Sequence, residues 1–326
     1  MDIKNALIVR EPAWHSVGTR VDRAPSLSEA IKMAGLDWQV LERPLYMGLP
    51  NDKAIELETH KGLIRSDNYK QLGVVGINYE PVQNIEAFSY FDDLVSNGIV
   101  ELDTALSLKE GKVIVVTAKI KQAESEVVRG DNVEGYLVFT NSHDGSSSVK
   151  TLLTPIRVVC MNTLAHAVVK ASKEENKILN FRHTASVLER IDEAKQIIDF
   201  QTQTFRNTVE QYQAMSRVQM VEANFNDYVS QVFAPELGKN KQVQELRAYP
   251  TLLQNFHYGI GTDLNGVNGT LWGAYQAVTQ YTSHQIRAKG QETTQQIHNR
   301  LNSLWLGNAK KINERAHQVA VKMTVS

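Results

Sequence analysis

The chain has a single cysteine, Cys160, among its 326 residues. An internal disulfide is therefore excluded, and so is any zinc site built from several thiolates. No run of apolar residues approaches the ~20 needed to cross a bilayer as a helix, so no membrane association is expected. The formal net charge is −1, which leaves no global basic field for a polyanion. A nucleic-acid role would need a local patch, or subunits that concentrate one. No Gly-x-x-x-x-Gly-Lys surrounds Ser146-Ser147-Ser148, so this is not a nucleotide P-loop. Gly259-Ile-Gly261 precedes no strand-turn-helix pattern and is weak evidence for a dinucleotide site. Residues 1–14, MDIKNALIVREPAW, lack the apolar core of a secretory signal. With the lone thiol, this points to a reducing cytoplasm.

What is present is an apolar share of 42%, enough for substantial cores, and a length that suits two domains. The chain is organised around Val133–Ala167. Val133–Thr140 reads as a strand, Asn141–Ser148 as a polar turn with Gly145, and Val149–Leu153 as a returning strand. Thr154-Pro155 fits a helix start, with Ile156, Val159, Cys160, Thr163, Leu164 and Ala167 on one face. The expectation is a hairpin feeding a buried helix.

Upstream, Ser26-Leu27-Ser28-Glu29 matches a capping box, followed by a short helix ending at Gly35. Strands are expected over Trp38–Tyr46, Lys53–Glu58, Gly62–Arg65 and Leu72–Ile77, and a helix capped by Asn84. Val100–Leu108, Lys112–Ile120 and Val133–Thr140 form a meander, with Lys121–Asp131 a loop. From His183 to Ala234 there is neither glycine nor proline, and Ile191, Ala194, Ile198, Phe205, Val209, Tyr212 and Met215 recur at helical steps. Further helices are expected over Lys239–Tyr258, Thr270–Ala288 and Gln291–Met323. The fold class is α+β: residues 1–184 form an antiparallel sheet domain with packed helices, and 185–326 a mostly α-helical region.

No catalytic signature emerges. Cys160 lies on an apolar helix face, which suits a structural thiol better than a nucleophile beside His143, His166 or His183. His143-Asp144 suits a turn better than a metal site. No enzyme activity, cofactor or metal is expected. Basic residues are the stronger candidates. Lys150, Arg157, Lys170, Arg182 and His183 flank the hairpin, and Lys119 lies on a meander strand. Arg157, in an apolar stretch, either pairs with a buried carboxylate or faces a polyanion. Trp14, Tyr69 and Tyr79 are aromatic enough to stack bases, though core or surface packing is the favoured reading.

Seven segments carry a family resemblance: AWHSVGTRVDRAPS (13–26), AGLDWQVLERPLY (34–46), GVVGINYEPVQNIEAF (73–88), YLVFTNSHDGSSSV (136–149), LTPIRVVCMNTL (153–164), FRHTASV (181–187) and GTLWGAYQAVTQY (269–281). With them the chain resembles a phage/plasmid-like family of unknown function. The resemblance implies a mobile element in a bacterial host, and tasks such as replication, recombination or defence evasion. The meander followed by a helix is similar in element order to the core of single-strand annealing recombinases of the RecT, Redβ and Erf groups. That likeness implies a ring- or filament-forming homo-oligomer that holds single-stranded DNA, with Lys150, Arg157, Arg182, His183 and Lys119 as phosphate contacts. The alternative is a non-enzymatic interaction protein, binding a host or phage replication protein through its helical half or serving defence evasion.

Overall fold

The computed structural model describes residues 6–9, 19–22, 25–145, 150–157, 162–163, 187–238, 241–286 and 293–325. Trp14, Ser146–Ser148, Cys160, His166, Lys170, Arg182 and His183 lie outside the described residues.

Two antiparallel sheets form the front half. The larger is built from β1 (Ala6–Val9), β2 (Thr19–Val21), β6 (Val100–Leu108), β7 (Val113–Glu126), β8 (Asn132–Ser142), β9 (Lys150–Arg157) and β10 (Asn162–Thr163), in the order β10-β9-β8-β7-β6-β1-β2. Among the described strand pairs only β1–β2 is parallel. The smaller sheet is β3 (Val40–Gly48), β4 (Ala54–Arg65) and β5 (Gln71–Gly76), in that order. Helix α1 (Leu27–Met33) starts at the Ser26–Glu29 capping box, and α2 (Asn84–Ser96) ends before Gly98, whose φ is 66°. The chain is α+β, and its helices gather in the second half: α3 (Val187–Arg217), α4 (Glu222–Val232), α5 (Ala234–Leu237), α6 (Tyr249–Tyr258), α7 (Leu271–Gln280), α8 (Thr293–Leu306) and α9 (Asn308–Met323).

Strand alternation gives the large sheet two buried faces. On one, Ile114, Val116, Ala118, Leu137, Phe139 and Leu153 join a continuous cluster with Phe205, Val209 and Tyr212 of α3 and with Trp272 and Tyr275 of α7. Close approach of α3 requires a glycine on β8: a Cβ at Gly135 would lie 2.7 Å from Ala123 Cβ and 3.0 Å from Phe205. On the other face, Leu106, Val115, Tyr136, Val138 and Ile156 pack with Leu301 and Trp305 of α8.

The expected helix at Thr154 is overturned. Thr154–Arg157 complete β9, and Asn162–Thr163 form β10. The β-branched run around Ile156 favours a strand. Among the described pairs, Pro155 stands opposite Gly135 of β8, and β10 pairs with Ile156 and Arg157. The hairpin therefore feeds another strand, and the next described helix is α3. Two expected strands, Lys53–Glu58 and Gly62–Arg65, are one strand, β4, whose pairing with β3 shifts register between Pro44 and Tyr46. The expected loop at Lys121–Asp131 is shorter, because Glu124–Glu126 pair with Asn132–Glu134. The helix expected over Lys239–Tyr258 is broken at Pro250, which opens α6, and Gly307 separates α8 from α9.

Candidate functional site

Arg157 ends β9 with its side chain completely buried. Its Nε donates to Asp131 Oδ1 at 2.6 Å and its Nη2 to Oδ2 at 2.7 Å. Trp272 Nε1 donates to the same Oδ2 at 2.8 Å. Arg157 Nη1 also reaches the carbonyl of Ile260 at 3.0 Å. A Cβ on Gly261, whose φ is +80°, would sit 2.6 Å from Nη2, so the glycine loop closes directly over the guanidinium. Two charges in a water-free interior require this density of partners. Of the two roles open to Arg157, the structure gives the buried pair. It is not a groove-lining phosphate contact, because no anion reaches it without opening the core.

Lys119 lies on the opposite face of the sheet. It stands opposite Tyr136 in register, and Tyr136 stands opposite Thr154, three residues from Arg157. The structure therefore does not bring Lys119 and Arg157 together. Lys119 Nζ donates to Glu134 Oε1 and lies 3.6 Å from Glu124 Oε2. Tyr136 Oη donates to Glu134 Oε2 at 3.0 Å, and Thr117 Oγ1 to Asp103 Oδ2 at 2.9 Å. Burial pushes the Asp103 carboxyl up to about 6, against hydrogen bonds from Thr117 and Thr104 that pull it down. Burial also pushes the Tyr136 hydroxyl up. Lys150 opens β9 opposite Thr140; its side chain, Arg182 and His183 lie outside the described residues.

A third constellation joins residues from three of the motif segments. His143, just past β8, is fully buried against Trp38, with ring centroids 5.4 Å apart in an edge-on contact. Its Nε2 is 2.8 Å from Asn84 Oδ1. Asn84 Nδ2 donates to the carbonyl of Leu36 at 2.8 Å, which fixes the amide so that Oδ1 faces the imidazole. His143 must then carry its proton on Nε2, leaving Nδ1 as an acceptor. Neither His143 Nδ1 nor Trp38 Nε1 has a hydrogen-bond partner among the described residues. Burial lowers the His143 pKa to about 4, with the Asp144 charge acting in the opposite direction. Ser142 Oγ donates to Asp144 Oδ1 at 2.6 Å, and Tyr79 Oη to the Ser142 carbonyl at 3.4 Å. Arg65 covers the other side of Trp38, its Cζ 4.5 Å from the ring centroid, and pairs with Asp67 through Nε and Nη2. The arrangement clamps the small sheet to the end of β8 through a neutral imidazole. No group of three or more metal-ligating side chains occurs among the described residues.

The sequence singles out His143 but not its partners. Asn84, expected as a helix cap, spends its side chain on this contact. Asp131 and Trp272 were also missed; the signal available was a carboxylate and an indole within apolar surroundings.

The family model described as "Domain of unknown function (DUF932)" matches residues 71–305, more than half of the chain. The chain belongs to the DUF932 family. No curated protein and no solved structure matches it. The DUF932 span takes in Tyr79, Asn84, His143 and the whole Asp131–Arg157–Trp272 network, while Trp38, Arg65 and strands β3 and β4 precede it. No described helix is long and apolar enough to cross a membrane.

Proposed function

We propose that this protein binds single-stranded DNA without catalytic chemistry, and that it serves a phage or plasmid by annealing or protecting single strands. The observation that carries the reading is the element order. Strands β6 to β9 run as an antiparallel meander, and the first described helix after it is α3, which lies against β7, β8 and β9. The helix expected at Thr154 is replaced by β9 and β10, so the support for this reading is the meander β6–β9 with α3 lying against it.

Phosphates would be held by charge, leaving bases free to pair. Arg157 is withdrawn from that role by Asp131, and Lys119 is held by Glu134 and Glu124. The contacts then fall to Lys150, Arg182 and His183. The sequence between β9 and α3 adds Lys170, Lys173 and Lys177 against Glu174 and Glu175, a local basic excess in a chain of net charge −1.

The test is equilibrium binding of a fluorescent polythymidylate oligonucleotide by Lys150→Ala and Arg182→Ala. Each variant should weaken binding and reduce the slope of log affinity against log salt by about 0.7, the value for one single-strand phosphate contact. An unchanged slope in both variants contradicts the assignment.

A further inference from the structure

The small sheet carries an extension that stands exposed among the described residues. Beyond the register shift at Pro44–Tyr46, β3 and β4 continue as a two-stranded ribbon, pairing Tyr46 with Glu56, Met47 with Ile55 and Gly48 with Ala54. The turn at its end places Asn51 and Asp52 at positive φ, 65° and 58°. Directly opposed residues share a face, so Met47 and Ile55 form a cross-strand pair. Leu49 follows by alternation on the same side, its N–H donating to the Lys53 carbonyl at 2.7 Å. Met47 is 55% exposed, Ile55 56% and Leu49 37%. On the other side Tyr46, 60% exposed, stands opposite Glu56.

An apolar strand pair standing in water at the edge of a sheet invites pairing with other chains. The root of the same edge is closed. Gln83 accepts from the Val40 N–H at 2.8 Å and donates to the Val40 carbonyl at 3.2 Å, in the manner of a neighbouring strand. Arg43 Nη1 covers the Glu42 carbonyl at 2.7 Å. Pro44 has no N–H to offer. From Tyr46 to Gly48 no described side chain covers the backbone edge. The closed root and open tip confine strand addition to the apolar end of the ribbon.

The ribbon also has a charge preference. Residues 46–59 contain Asp52, Glu56 and Glu58 against the single cation Lys53, so three negative charges less one positive leave −2. Two such ribbons would repel, and an anionic lipid surface or nucleic acid would be repelled as well. We propose that the β3–β4 ribbon is a docking arm for a basic, amphipathic, extended segment of a partner protein. The segment adds beside Tyr46–Gly48, lays alternate apolar side chains on Met47 and Ile55, and presents its cations to Glu56 and Glu58. This goes beyond the DNA-binding reading and does not depend on it.

The test is fluorescence anisotropy with the full chain and two labelled heptapeptides, one alternating valine and lysine, the other valine and glutamate. The lysine peptide should bind at least about tenfold more tightly at low salt. Met47→Asp and Ile55→Asp should each weaken it by about tenfold or more, without moving the melting temperature, since both side chains stand in water. Glu56→Lys combined with Glu58→Lys should reverse the preference between the peptides. Equal binding of both peptides, or no binding of the lysine peptide, overturns the proposal. So does a lowered melting temperature in the aspartate variants, which would show a packed face. A dimer seen by light scattering and dissolved by Met47→Asp also overturns it, because the occupant would then be a second copy.

Discussion

Arg157 and Asp131 meet as a bidentate pair inside the core, with both side chains essentially without solvent contact. The pair fastens the end of β9 to the turn that precedes β8, and through Trp272 and Ile260 it fastens both to α7 and the glycine loop. Removing one member leaves a buried charge with no counterion, which costs far more than the pair itself contributes. Arg157→Ala should therefore destabilise the fold by about 3–5 kcal/mol, read as a lowered urea midpoint. Asp131→Asn should cost less than Asp131→Ala, because the amide still accepts from Trp272. An Arg157→Ala protein with an unchanged midpoint and lost DNA binding would return the arginine to the groove.

His143 sets an acid-side stability limit. Its folded pKa is lowered to about 4 from the ordinary histidine value of 6.5, and the same shift, from burial, is found at His317. Between these values the unfolded chain binds protons that the folded chain does not. The stability from each neutral imidazole is complete above pH ~6.5 and is lost as pH falls toward ~4, by up to about 3 kcal/mol per group. Midpoints measured from pH 7 to pH 4 should fall, and His143→Gln should flatten part of that fall. A pH-independent midpoint would contradict the buried, neutral assignment.

Asp103 acts with the opposite sign. Its pKa is raised to about 6, so the folded state holds a proton that the unfolded state releases above about 3.8. Its contribution is lost as pH rises through that window. Asp103→Asn should be more stable than wild type at pH 8, and the difference should shrink below pH 4. Equal stability at pH 8 would show that the carboxylate is well solvated.

How much of this was legible in the sequence follows from the range of each interaction. The Ser26–Glu29 capping box, the glycine stops at Gly35 and Gly98 and the meander are local, and their residue patterns suffice. Thr154-Pro155 failed because the dipeptide fits a helix start by local pattern, whereas its pairing with Tyr136 and Gly135 of β8, distant from it in sequence, makes it a strand. Asn84 failed as a cap because Leu36 and His143, distant in sequence, compete for its amide. Arg157 was recognisable as an anomaly in an apolar stretch, but its partner was not, since several carboxylates lay within reach of an unknown fold. The ribbon was invisible because Lys53–Glu58 read as a separate strand.

The Gly73–Asp144 contact tests the clamp between the two sheets. A Cβ at Gly73 would lie 2.8 Å from Asp144 Cα, a backbone atom that cannot swing away. Gly73→Ala should cost about 1–3 kcal/mol, read by thermal or urea unfolding, because the end of β8 must shift. A neutral outcome would mean that the turn after β8 yields freely.

The most direct test of the proposed function is the rate at which complementary fluorescent oligonucleotides anneal with and without the protein, followed across a salt series with light scattering on the same sample. The account predicts acceleration at low salt that fades steeply as salt rises, accompanied by an assembly larger than one chain. No acceleration and no strand binding at low salt would contradict it and remove nucleic acid from the protein's partners.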